Sequence, residues 1–156
     1  MNRVFSKIFV EAISSIIVGG VPCVLIVYYQ GVDALFKYVH SLAPPNIVTY
    51  YFAGLTIAHI LIWAIGKYVL QTEETSEKVL NKLHIITYNV GFTLTGFYRV
   101  LTGAMLIYLA PILYVEPTSS NIPIVSIGYY TAIAFLLMCC VLSAIQEETK
   151  VRVRHF

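Results

Sequence analysis

Three ionisable side chains stand inside otherwise apolar stretches of this chain: Glu11, His59 and Arg99. A charged group at the middle of a membrane helix costs roughly 2.5–3.5 kcal/mol on insertion scales, so such residues are expected to face a bundle interior, a watery cavity or a boundary. A carboxylate or an imidazole in that position can relay protons; the plainer role is to hold helices together. Glu11 follows Lys7 by four residues, which sets it about 6 Å deeper along a helix. His59 precedes Lys67 by eight residues, a separation of about 12 Å. Arg99 has two alternative depths. A span beginning at His84 carries it about 22 Å in, near the bilayer centre. If residues up to about Thr95 instead form a cytoplasmic or interfacial helix, Arg99 snorkels near the inner surface, level with Glu11. The second arrangement makes an ion pair available. The sequence therefore predicts a polar cluster of Glu11, His59 and Arg99, lined by Asn89, Thr93, Ser14 and Ser15.

Other chemistry finds little support. The chain has no P-loop, nucleophile elbow, paired-cysteine or H-E-x-x-H pattern. Haem would need axial ligands facing each other inside the bundle, and of four histidines only His59 lies well inside an apolar run. Cys23, Cys139 and Cys140 all sit in apolar stretches, which fits neither a disulfide framework nor zinc-ligand spacing. No cofactor, metal or enzyme active site is expected, although a lipid-modifying enzyme is not excluded. A net charge of +2 without a basic cluster gives no reason to expect nucleic-acid binding.

The elements that must position these residues follow from composition. Only 12% of the 156 residues are charged and 58% are hydrophobic, against about 25% charged in an ordinary soluble domain. Hydrocarbon rather than water is the expected solvent. A spanning helix needs about 20 mostly apolar residues, and lipid leaves backbone hydrogen bonds no other regular solution here. Four stretches qualify, at residues 9–29, 47–70, 85–115 and 122–145. The expected fold is an all-α, polytopic, single-domain protein with four transmembrane helices.

Basic residues set an expected orientation. Arg3, Lys7, Lys67, Lys78, Lys82, Lys150, Arg152 and Arg154 fall at one end of a four-span arrangement, and Lys37 alone at the other. By the positive-inside rule both termini are cytoplasmic, which in a bacterium means an inner-membrane protein. Tyrosines 28, 29, 50, 51, 114, 129 and 130 gather near the outer boundary, and Trp63, Tyr68 and Tyr88 near the inner one. In the outer loop Val32, Leu35, Phe36 and Val39 repeat at helical spacing, which predicts a short interfacial helix ended by Pro44-Pro45.

Two further patterns bear on partners. Small residues four apart (Ser15/Gly19/Cys23, Gly54/Ala58, Gly128/Ala132) allow close helix packing within or between protomers, and a homo-oligomer is expected. The inner loop and tail carry Glu73, Glu74, Glu77, Lys78, Lys82, Arg152 and Arg154, a plausible docking surface for a soluble cytoplasmic protein. The expected function is an oligomeric anchor, sensor or scaffold in the lipid bilayer, of a kind that would suit a bacterial stress or phage-defence system. A holin-like pore is an alternative. So is a small proton-coupled exporter: one carboxylate, Glu11, in the first of four spans resembles the small multidrug-resistance transporters. That resemblance covers only Glu11 and the span count, and the longer outer loop and boundary position of Glu11 depart from it.

Overall fold

The computed structural model describes residues 3–42, 47–68, 77–115 and 122–153, and every element among them is helical. The first span is built from α1 (Arg3–Ser15), a π-helical turn (Ile16–Gly20) and α2 (Val21–Gln30). Pro22 explains the wide turn. Inside a continuous α-helix it would lack an amide donor and press its ring on the carbonyl of Val18, four residues back. Widening the turn relieves this: the Val21 N–H donates to the carbonyl of Ile16, five residues back, and Pro22 falls in the first turn of a new helix. α2 ends at Gly31, whose φ of +86° is a conformation that side-chain-bearing residues rarely adopt.

That turn sends the chain into α3 (Val32–Leu42), the short helix expected between the first two spans. Its apolar stripe packs inward. Leu35 and Val39 are buried with Cys23 of α2 and Ala104 of α5 (Glu77–Val115), and the Phe36 ring meets Tyr108 edge-on at 5.2 Å. Asp33 and Lys37 stay exposed. α4 (Ile47–Tyr68) and α6 (Ile122–Val153) complete the bundle.

Four helical segments are long and apolar enough to cross a membrane: Phe5–Gln30, Tyr50–Tyr68, Lys82–Ala110 and Val125–Thr149. The shortest, 19 residues, reaches about 28 Å at 1.5 Å per residue, close to the thickness of a bilayer's hydrocarbon core. The distribution of polarity fits lipid. Phe9, Ile17, Leu25, Ile57, Leu61, Ile133 and Leu137 all point outward, whereas Glu11, Thr56, His59, Thr95 and Thr102 are buried. A water-soluble bundle would place these two sets the other way round. Buried threonines satisfy their hydroxyls on their own helices: Thr56, Thr95 and Thr102 each donate to the carbonyl four residues back, at 2.7–2.8 Å. The fold is therefore all-helical and multi-pass.

The axis of the bundle is the antiparallel pair α5–α6. Its core is Leu94, Tyr98, Leu101, Cys139 and Leu142, flanked by a parallel stack of Phe52 on Phe97 with ring centroids 3.9 Å apart. Gly91 faces Gln146, and Gly128 faces Leu109. This register stands Glu147 and Glu148 level with the Asn89–Val90 step of α5.

Candidate functional site

The polar features collect toward the Lys-rich end of the bundle, in two layers. In the outermost layer, Lys7 of α1 meets Glu147 of α6 at 2.8 Å, and Lys67 of α4 meets Glu148 at 3.1 Å. Four charges from three helices thus form a ring of ion pairs with no net charge. Lys67 also stands over the faces of Trp63 and Tyr68, 4.8 and 5.5 Å from the ring centroids.

The second layer is the pair Arg99–Glu11. The Arg99 Nε donates to Glu11 Oε2 at 2.9 Å and its second terminal nitrogen to Oε1 at 3.0 Å, a two-pronged contact between α5 and α1. The Glu11 side chain is only 3% exposed and that of Arg99 25%. Helical side chains lean toward the N-terminus of their own helix, so Arg99 reaches back toward the Lys-rich end to meet a carboxylate whose helix runs parallel to its own. Arg99 and Glu11 are therefore brought together, although the third candidate span runs Lys82–Ala110 and begins well before Thr95, not after it as the level-matched arrangement required.

The approach of α1 and the π turn to α5 is close enough to involve main chain. A Cβ added at Gly103 would overlap the carbonyl of Ser15 and the backbone of Gly19 and Gly20; one added at Gly19 would overlap the carbonyl of Val100. The glycines of the wide turn and Gly103 thus let two helices touch backbone to backbone, one turn beyond the ion pair.

The remaining expected site residues are placed as follows. His59 is buried and makes no hydrogen bond or ion pair with Glu11 or Arg99: its ring lies against Gly91, where a Cβ would sit 3.1 Å from the His59 Cε1 and Nε2. Gly91 is eight residues before Arg99, about 12 Å nearer the Lys-rich end of α5. Its Nε2 has no hydrogen-bond partner, and neither has the side-chain nitrogen of Gln146, which flanks the same glycine. Asn89 and Thr93 are exposed, with the Thr93 hydroxyl donating to the carbonyl of Asn89 at 3.3 Å. Ser15 is buried beside the glycine crossing and its hydroxyl lacks a partner. Gly128 packs on Leu109 and Ala132 is buried, whereas Gly54 and Ala58 face outward on α4 with nothing within 4 Å of a Cβ at Gly54.

Of the charged surface, Lys82 is exposed on α5, Glu77 and Lys78 begin that helix, and Arg152 lies in the last turn of α6. Glu73, Glu74 and Arg154 lie outside the described residues. Sequence reasoning missed Gln146, Gly91 and Gly103. Gly103 had a signal, since it follows Arg99 by four residues on a helix that must approach the first span.

No family model, curated protein or solved structure matches this chain. Among the described residues no group of three His, Cys, Asp or Glu side chains could hold a metal ion. The arrangement joins the spans to one another. A buried ion pair and a glycine crossing clamp the first span to the third, and the ring of ion pairs ties the first and second spans to the fourth.

Proposed function

We propose that the protein is a membrane-embedded anchor or scaffold that presents a paired helical projection to a soluble partner at its Lys-rich, cytoplasmic end. The observation that carries this reading is the length of α5 and α6 relative to the ring of ion pairs. α5 begins at Glu77, twelve residues before the level of Glu148, so about 18 Å of helix extends past the ring, its first five residues lying beyond the candidate span Lys82–Ala110. α6 continues beside it to Val153. This projection joins rigidly to the bundle because both helices are uninterrupted through the membrane region. It carries charge of both signs, which gives orientation and specificity to protein contacts.

A pore or an exporter is served less well by the same geometry. Both Glu11 oxygens are held by Arg99, so the carboxylate is engaged rather than offered to a transported cation or proton. The first and third spans meet backbone to backbone at Gly19 and Gly103, which closes the space between them at that level. Homo-oligomerisation through the outward small residues of α4, placement in the inner membrane and cytoplasmic termini belong to the same proposal.

A photo-crosslinking residue at Lys82, compared with one at Tyr129 at the opposite end, tests it in the producing cell. Adducts with a water-soluble protein are expected from Lys82 only. Equal yields from both positions, or membrane-impermeant thiol labelling of Lys82→Cys from the external face, would refute the anchor and its orientation.

A further inference from the structure

We propose that the groove between α4 and α6 binds one phospholipid whose headgroup carries both a phosphate and a primary ammonium. The groove has a volume of about 280 Å³ and is lined by Ile60, Trp63, Val141, Ala144 and Ile145, closing at the Lys67–Glu148 ion pair. This is smaller than the roughly 300–1,000 Å³ of a drug-sized ligand site and takes part of one acyl chain, the rest of the lipid staying in the bilayer. The wall is aliphatic along its length and polar only at the Lys-rich end, so an occupant must be apolar along most of its extent and charged at one tip. A membrane lipid has that build.

Charge complementarity selects the headgroup. Lys67 and Glu148 stand side by side at the mouth, with side chains 30% and 33% exposed, able to share their contacts with a ligand. An ammonium nitrogen donates to the Glu148 carboxylate while the lipid phosphate accepts from the Lys67 ammonium. The neighbouring pair Lys7–Glu147 brings the ring to zero net charge. A phosphoglycerol headgroup has no ammonium to offer Glu148, so its phosphate answers Lys67 alone. A phosphocholine headgroup has no N–H to offer Glu148. A phosphoethanolamine headgroup satisfies both partners.

Trp63 is the single tryptophan of the chain and lies in the groove wall, so its emission reports occupancy directly. The purified protein is reconstituted in phosphocholine vesicles containing increasing fractions of lipid with brominated acyl chains, bearing phosphoethanolamine, phosphoglycerol or phosphocholine headgroups. Quenching should give phosphoethanolamine lipid a relative affinity at least fivefold above the other two. Glu148→Gln should bring that ratio close to one, and Ala144→Phe, which fills the groove, should remove the preference altogether. Helix content and monodispersity of both variants are measured alongside, and the wild-type ratio decides the matter even where a variant fails to assemble. Equal quenching by all three headgroups would mean an ordinary boundary position. A preference for phosphoglycerol would mean that the basic residues of the helical projection recruit anionic lipid. Either result overturns the proposal.

Discussion

Removing Arg99 tests the structural reading most directly. Glu11 is nearly sealed from the surroundings and holds two hydrogen bonds from the guanidinium, at 2.9 and 3.0 Å. With charge centres about 4 Å apart and an effective dielectric constant near 20, the attraction is about 4 kcal/mol, and part of it offsets the cost of withdrawing Glu11 from water. Arg99→Leu leaves the carboxylate buried without its partner, a change that costs about 3–5 kcal/mol in buried pairs. Arg99 is a quarter exposed, which places the expected loss at the lower limit, about 3 kcal/mol. Glu11→Leu alone leaves a quarter-exposed guanidinium that can turn to solvent and should cost about 1 kcal/mol, as should the double substitution, so the two should couple by about 3 kcal/mol in a double-mutant cycle. Reversible unfolding in mixed micelles, followed by far-ultraviolet circular dichroism, gives these numbers. A loss under about 0.5 kcal/mol for Arg99→Leu, or additive single effects, would mean that the guanidinium is stabilised by lipid headgroups and the pair is incidental.

Two other substitutions separate packing from accident. Gly103→Ala should destabilise by several kcal/mol, because the new methyl overlaps backbone that cannot rotate away, while Gly54→Ala should leave stability unchanged or raise it by up to about 1 kcal/mol; the same micellar unfolding assay ranks them, and equal effects would disprove the glycine crossing. Gly91→Ala should push the His59 ring from its site and cost about 1–3 kcal/mol, with partial relief in the Gly91→Ala, His59→Ala double variant; absence of that relief would show that the two residues are not in contact.

Much of this architecture is legible in the sequence, and the parts that are not share a cause. Apolar run length fixes the spans because the hydrocarbon thickness is a fixed ruler, and the observed helices begin and end near the expected limits. The meeting of Glu11 with Arg99 was open to the sequence because a guanidinium in an apolar stretch has few possible partners, but their depths were not: the third span begins near Lys82, and Arg99 reaches back along its helix to the carboxylate. His59 was expected in the same cluster and lies instead against Gly91 and Gln146. Depth is encoded along one helix, whereas the direction in which a residue faces depends on which neighbour its helix adopts. Neither the partner of α4 nor its tilt is written in its own residues. The inward seating of α3 escaped for a related reason: periodicity shows that one side is apolar, but a reversal at Gly31 decides what that side meets. The helix beginning at Glu77 fits the charge pattern of the inner loop, yet its length past the ring of ion pairs emerges only once α6 sets the common level.

The wide turn at Ile16–Gly20 has a consequence for the geometry of the whole first span. Its inward residues Glu11, Ser15, Gly19 and Cys23 recur at a strict interval of four. On an unbroken α-helix each such step overshoots a full revolution by about 40°, so the set would wind through about 120° and part company with any straight neighbour. A stretch with more residues per revolution gives back some of that angle. The contact line stays on α5, so that a carboxylate at one end and a thiol at the other press on the same partner.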